Sequence, residues 1–341
     1  MSQSQELPML NAMELLHYGA RFHGKTFFIY LESTFDFEEL LTDFRVLLSA
    51  KIRLCIFFSP KVDLGGLKEV KDLGFPFTIL LPNDIGGIRK ALGEGETPLV
   101  QSTPLASIKE IDLLSLATKF IHIKSLGPMP VPAGGAVSFE AMKEYYLQVN
   151  AEEAFDELYP VSLDTAFVAP KSGNLFVEIF THQGSGLLVT QNLNQEIRRA
   201  TKKDVMDISL LMKPYIQKKS ILPVTLEELA TKVEEYFVTF INDELVGAAR
   251  LKPWGTSFEL SKFCTLPRYR GKGIAKSLCA NLIEEAKTIG IKELFALSIE
   301  PKMIEFFEDF GFEKVEKNQL PKEWQKGYDQ KRESTALSLH P

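Results

Sequence analysis

The chain of 341 residues is poor in cysteine, tryptophan and histidine, with three, two and five of them. Cys55, Cys264 and Cys279 sit in apolar segments far apart in sequence. They read as buried free thiols of a reducing compartment rather than as a disulfide framework. The scattered histidines share no metal-ligand spacing, so no metal is expected. Cations are outnumbered: 39 Lys and Arg stand against 45 Asp and Glu. A net charge of −6 argues against general nucleic-acid binding. No apolar run reaches the length that a bilayer-spanning helix needs, so no membrane partner is expected. The opening MSQSQELPML lacks the basic segment and apolar core of a secretory signal. These absences together point to a cytoplasmic protein. What is present is ordinary for a globular chain, with 45% hydrophobic and 25% charged residues. The length suggests two domains.

In the first half, short apolar runs alternate with helical patterns. Residues 27–31 (FFIYL), 54–58 (LCIFF), 77–81 (FTILL) and 120–124 (FIHIK) read as strands. Residues 37–49, 67–73, 85–92, 108–117, 138–147 and 152–159 read as helices. Apolar strands separated by helices imply a mostly parallel sheet covered on both faces. Strand, helix and strand follow at 165–168, 175–180 and 187–189, with Gly184-Ser185-Gly186 as a turn. After a polar connector at 190–195 the pattern changes. A short strand at 197–200 precedes a helix over 204–216, for which Thr201 is a candidate cap. A second helix spans 225–236, with Thr225 and Glu228 in capping-box spacing. A hairpin follows, 237–241 and 245–252 around Asn242-Asp243-Glu244, then strands at 258–266, 294–298 and 313–315. A helix at 303–310 lies between the last two. The expected domains are residues 1–190 and 196–341.

The most informative stretch is Arg270-Gly271-Lys272-Gly273-Ile274-Ala275. It follows the strand at 258–266 and opens a helical pattern with Leu278, Leu282, Ile283 and Ala286 on one face. Glycines let the backbone approach a phosphate, free N–H groups point at it, and the helix dipole favours negative charge. The flanking Arg268, Arg270 and Lys272 can add charge-assisted contacts. The spacing is neither that of a P-loop nor that of a dinucleotide fingerprint. An Arg- and Gly-rich surface turn is the plain alternative.

The spacing R-x-x-G-x-A resembles the pyrophosphate-binding motif of GNAT acyltransferases, and the order of elements from 196 to 340 resembles that fold. Within it, the chain is similar to the N-acetylglutamate synthases that join an amino-acid-kinase-like domain to a GNAT domain. The residues carrying this are Phe258-Glu259-Leu260-Ser261-Lys262 leading to Thr265-Leu266-Pro267, the strand 294–298, Phe306 to Phe312, and Leu320-Pro321 with Tyr328 to Ser334. Gly24-Lys25-Thr26 and the run 175–189 resemble the kinase-like half. The implied fold class is α/β: an N-terminal kinase-like open sheet with helices on both faces, and a C-terminal GNAT acyl-CoA N-acyltransferase domain. The first half departs from kinases of its type. Tyr30-Leu31-Glu32-Ser33 stands where they carry a lysine and paired glycines, and the half is short. Phosphoryl transfer needs those groups around ATP, so no kinase activity is expected.

The resemblance implies acetyl transfer from acetyl-CoA to the α-amino group of L-glutamate, the first step of arginine biosynthesis. An α-ammonium must lose a proton before it attacks a thioester. Glu259 matches the base position, with an exposed strand glutamate as the structural alternative. Ser298 matches the residue set against the departing sulfur; a strand-end filler is its alternative. Phe263, Cys264, Thr265, Arg270, Gly271, Lys272, Gly273, Ile274 and Ala275 are the candidate cofactor-binding residues. Lys262, Arg332 and Ser334 are the candidate substrate residues, with ordinary surface charge as the alternative for the two cations. Period-two geometry would put Glu259 and Lys262 on opposite faces of a regular strand; a bulge could bring them together. Lysines replace further family arginines, leaving an acetyltransferase for another amino acid or amine, or a non-catalytic metabolite sensor, as alternatives. A homo-oligomer is the family expectation.

Overall fold

The computed structural model describes residues 12–31, 34–58, 76–81, 84–101, 116–123, 135–150, 163–328 and 333–341. The chain divides into two compact units, Met1–Leu193 and Asn194–Pro341. Among the described residues no helix is long and apolar enough to cross a membrane.

The first unit runs α1 (Ala12–Phe22), β1 (Thr26–Leu31), α2 (Thr34–Ser49), β2 (Arg53–Phe58), β3 (Phe77–Leu80), α3 (Ile85–Glu94), β4 (Thr97–Gln101), β5 (Ala117–Ile123), β6 (Ala136–Ser138), α4 (Phe139–Gln148), β7 (Thr165–Val168), α5 (Asn174–Phe180) and β8 (Leu187–Thr190). Its sheet has the order β3-β4-β2-β1-β5-β7-β8-β6. Every pairing is parallel except β7 with β8. After their first residues, Thr26 and Arg53, the strands β1 and β2 run as unbroken apolar or aromatic residues because both faces are covered. Phe27, Ile29 and Leu31 pack with Leu40, Phe44, Leu175 and Ile179 on one face. Phe28 and Tyr30 pack with Ile88 and Leu92 on the other. The left-handed Gly173 at the start of α5 offers no side-chain cap. The buried carboxylate of Asp43, on α2, takes that role: it accepts from the N–H groups of Gly173, Leu175 and Phe176 at 2.9, 3.1 and 3.3 Å.

Three elements of this unit, α1, β4 and β6, were not expected. Pro98 argues against a strand at β4, since proline cannot donate to a ladder. It is tolerated because Pro98 stands opposite Thr78 of β3 only, and β2 joins from Leu99 onward. The helices expected over 67–73 and 152–159 lie outside the described residues, as does most of that over 108–117; Ala117 opens β5.

The second unit runs β9 (Glu196–Arg199), α6 (Val205–Gln217), α7 (Leu226–Thr231), β10 (Tyr236–Ile241), β11 (Glu244–Trp254), β12 (Ser257–Thr265), α8 (Ile274–Thr288), β13 (Glu293–Ser298), α9 (Pro301–Glu308), β14 (Glu313–Val315), α10 (Lys322–Gly327) and β15 (Thr335–Leu339). The sheet order is β14-β15-β13-β12-β11-β10-β9. Only β12 and β13 pair in parallel. Thr201 caps the short 3-10 turn Lys202–Asp204 that leads into α6, in a capping box with Asp204, whose carboxylate accepts from Thr201 N and Oγ1 at 2.7 and 2.8 Å. Thr225 does cap α7, accepting from Glu228 N at 3.1 Å. That helix ends at Thr231 rather than near 236. Tyr236 is fully buried and opens β10, a run of aromatic and β-branched residues that suits a sheet better than a helix. Asn242 and Asp243, with φ of 47° and 62°, make the tight turn to β11.

Gly247 decides how closely α8 approaches the sheet. A Cβ there would stand 2.5 Å from Ile274 Cγ2, on the first turn of α8. The glycine-rich turn before α8 is thus anchored on β11. Gly247→Ala is expected to lower the stability of the protein by about 1–3 kcal/mol, measured by urea unfolding, because the helix start must move or Ile274 must leave its rotamer.

Candidate active site

The site begins where a strand pair comes apart. β12 pairs with β13 from Ser257↔Glu293 to Leu260↔Ala296 and no further. Yet β12 continues to Thr265 and β13 to Ser298. On its other edge β12 stays paired with β11, but the register slips between Ala248 and Arg250. The extra residue is taken up near Lys262, whose φ of +58° is left-handed. This bulge resolves the spacing problem: Glu259 and Lys262 line one cavity of about 260 Å³, together with Arg250, Lys252, Ser298 and Ser334. A wider cleft of about 910 Å³ adjoins it, sharing Ser298 and Ser334.

Strand alternation supplies the rest of the cavity wall. Arg250, Lys252 and Trp254 stand opposite Ser261, Glu259 and Ser257, so all six share one face. The indole Nε1 of Trp254 donates to Glu259 Oε2 at 3.0 Å. Burial raises the Glu259 carboxyl above the usual glutamate value. The indole bond and the charges of Lys252, Arg250 and Lys262 pull it back without cancelling that rise. Burial, helped by Arg250, brings Lys262 down to about 8; its ammonium donates to the Leu222 carbonyl. Burial also depresses Lys252, whose ammonium lies 4.1 Å from the centre of the Trp254 ring. Arg250 is 4% exposed. Its Nε donates to Glu235 Oε2 at 2.8 Å, and Nη1 lies 3.5 Å from Glu228. The Ser334 hydroxyl oxygen is buried and has no hydrogen-bond partner among the described residues. Ser298 Oγ accepts from Glu300 N at 3.0 Å. Arg332 lies outside the described residues.

Of the three candidate residues on β12 after the bulge, Cys264 is a correction. It pairs with Ala248 of β11, and its thiol is buried and raised by that burial. It cannot face the gap between β12 and β13. Leu266 N donates to Val246 O on β11. By alternation the backbone of Thr265, and that of Phe263, turns to the open edge. Tyr215, on α6, occupies Thr265 there: its hydroxyl donates to Thr265 O at 2.6 Å and accepts from Thr265 N at 3.0 Å. The Phe263 ring packs edge-on against Phe306 and Phe307.

The glycine-rich turn has the expected form. Gly271 and Gly273 have φ of 79° and 76°, and the space beside each, where a Cβ would point, is open. Gly273 caps the 15-residue α8 without any side-chain hydrogen bond, so the first-turn N–H groups of Ile274 and Ala275 face outward. The side chain of Ile274 is buried and contributes nothing polar. Gln195 Nε2 braces the turn by donating to Lys272 O at 3.0 Å. Arg270 is exposed and its Nη2 lies 3.3 Å from the Tyr215 hydroxyl. Arg268 is buried within the turn and does not flank it as the sequence suggested.

A fold with one parallel pair that separates beside an uncapped helix is distinctive. Residues 203–312 match the acetyltransferase (GNAT) family. An amino-acid acetyltransferase of Photorhabdus laumondii is 27% identical over 170 residues, which are 49% of this chain and 38% of that protein. The Neisseria meningitidis protein of the same description is 29% identical over 158 residues, 46% of this chain and 36% of that protein. The chain therefore spans well under half the length of these curated relatives. Among solved structures, N-acetylglutamate synthase from Neisseria gonorrhoeae, complexed with coenzyme A and L-arginine, has a TM-score of 0.59 at 18% identity. That likeness covers 96% of this chain and 97% of the other, and it is a likeness of fold. The second unit has the GNAT fold, and the open sheet of the first shares in the likeness of fold to the Neisseria gonorrhoeae structure.

Arg250, Lys252, Trp254 and Tyr215 escaped the sequence reading. The pattern R-x-K-x-W along an inner GNAT strand, opposite E-x-S, was the available signal for three of them. Because the indole N–H favours the ionised carboxylate, Trp254→Phe is expected to raise the Glu259 pKa further. Carboxyl NMR titration of the two proteins checks this.

Proposed function

We propose that the protein is an amino-acid N-acetyltransferase that moves acetyl from acetyl-CoA to the α-amino group of L-glutamate, as an N-acetylglutamate synthase of arginine biosynthesis. The observation that carries this reading is the meeting of Glu259, Lys262 and Ser298 in one cavity beside the unpaired end of β12. The uncapped α8 and its left-handed glycines suit a diphosphate, because their N–H groups are directed outward and no side chain fills the space. Arg270 adds a charge at the same turn.

Each residue has a role in that reaction. Glu259 accepts the proton of the α-ammonium, directly or through one water, and its raised pKa makes it a stronger base than an exposed glutamate. Trp254 fixes the carboxylate that receives the proton. The Phe263 N–H, on the open edge, is placed to donate to the thioester oxygen as charge builds there. Ser298 orients the departing sulfur. Lys262 and Ser334, with Arg332, hold substrate carboxylate. The Ser334 hydroxyl supports this because it is buried and, among the described residues, without a partner. Acetyl-CoA and the amino acid supply all the reacting atoms, so Cys264 is not needed as a nucleophile. The first unit is read as a non-kinase domain that contributes assembly, since Tyr30-Leu31 occupies the end of β1 where a kinase needs glycines.

A thiol-release assay with acetyl-CoA and a panel of amino acids tests the reading. Turnover with L-glutamate supports it; turnover only with other amines, or with none, overturns it. Glu259→Gln should lower kcat by about 10²–10⁴-fold, and wild-type turnover in that variant would remove Glu259 from the mechanism. Arg270→Ala should weaken acetyl-CoA binding about 3–10-fold, less at high salt because the side chain is exposed; calorimetric titration measures this.

A further inference from the structure

Two ammonium groups and one carboxylate in a single small cavity mirror a molecule with two carboxylates and one ammonium. Lys252, Lys262 and Glu259 all line the 260 Å³ cavity. Arg250 is committed to Glu235 and Glu228. Lys252 is not so committed. Among the described residues it makes no ion pair and no hydrogen bond, and its recorded neighbour is the Trp254 ring. The Glu259 carboxylate opposite it offsets only part of the water it has lost, and a ligand anion would offset more.

We propose that Lys252 is the specificity-determining residue that binds the side-chain carboxylate of the acceptor amino acid, while Lys262 takes the α-carboxylate. The inference rests on the acetyl-transfer reading and assigns a part of the cavity that the reading leaves unassigned. The assignment of the two lysines follows from position along the strands. Lys262 lies at the bulge, toward the phosphate turn and the thioester, where the reacting α-amine and its neighbouring carboxylate must sit. Lys252 is opposite Glu259 on β11, level with the base and farther from the turn than Lys262, where the longer arm of the amino acid reaches. Its ammonium lies over the Trp254 ring, which helps to fix its place. The cavity is smaller than the roughly 300–1,000 Å³ typical of drug-sized ligands, which suits a free amino acid.

L-Glutamine is the neutral isostere that separates this role from others. In steady-state kinetics with acetyl-CoA, Lys252→Gln should lower kcat/KM for L-glutamate about 10–100-fold, mainly through KM. The fall for L-glutamine, which reflects only the effect on Glu259, should be about tenfold smaller, and Lys252→Arg should keep the glutamate preference. An equal fall for both amino acids would overturn the proposal, because it would mark an effect on Glu259 or on folding. An unchanged glutamate-to-glutamine ratio would overturn it too. Calorimetric titration of both amino acids in the presence of CoA separates this inference from the reaction. Suppose the wild type turns over neither yet binds L-glutamate preferentially, and Lys252→Gln abolishes that preference. The assignment of Lys252 then stands and the acetyl-transfer reading fails. If the wild type prefers L-glutamate neither in turnover nor in binding, the assignment fails.

Discussion

The second unit depends on one interrupted contact. β12 and β13 are held together over four residue pairs and then released. Were the ladder to continue, the backbone of Phe263 and the ends of both strands would be consumed in pairing. No space for a ligand would then exist inside the sheet. The bulge at Lys262 works on the other edge of β12, where pairing with β11 persists on both sides of the slip. One strand is therefore firmly held on its β11 edge and free on part of its β13 edge. The backbone that faces the free edge is rigid because the held edge is complete, and rigidity of this kind is what a positioned donor needs.

The site concentrates groups that water would otherwise stabilise. Glu259 is raised, Lys252 and Lys262 are lowered, and burial is the leading cause in all three. Opposite charges nearby soften each shift without removing it. The Trp254 indole contributes twice: its N–H bonds the Glu259 carboxylate and its ring face lies beneath the Lys252 ammonium. One aromatic side chain thus couples the Glu259 carboxylate to the Lys252 ammonium across two strands. By contrast Arg250, the most deeply buried cation of the wall, is fully engaged with acidic partners. It shapes the cavity from behind.

Much of this was legible in the chain because the informative features are local. The glycine-rich turn shows as glycines at fixed spacing before an apolar helical pattern, and Gly271 and Gly273 adopt the left-handed backbone that only glycine takes freely. The open sheet showed as apolar runs separated by helices. The failures have physical causes. Lys262 in a left-handed conformation has no sequence signature, since lysine seldom adopts it; only the resemblance suggested the bulge. Pro98 concealed β4, because the missing partner on one side of that residue is a matter of sheet order. Arg250 and Lys252 went unremarked, because alternation on β11 becomes meaningful only once its neighbours are known. The short α10 is held by Trp324, which is fully buried against Phe295, and a six-residue segment shows little helical period.

The hydroxyl of Tyr215 has a consequence for the protein's behaviour in a crowded solution. A sheet edge with unpaired N–H and C=O groups is a template on which a foreign chain can lay down another strand. At Thr265 both groups are already engaged by one phenolic oxygen, which donates to the carbonyl and accepts from the amide. An invading polypeptide finds no vacancy at that residue and cannot extend a ladder through it. A single side chain from a neighbouring helix guards the seam against self-association, while the stretch closer to the bulge stays accessible to small molecules.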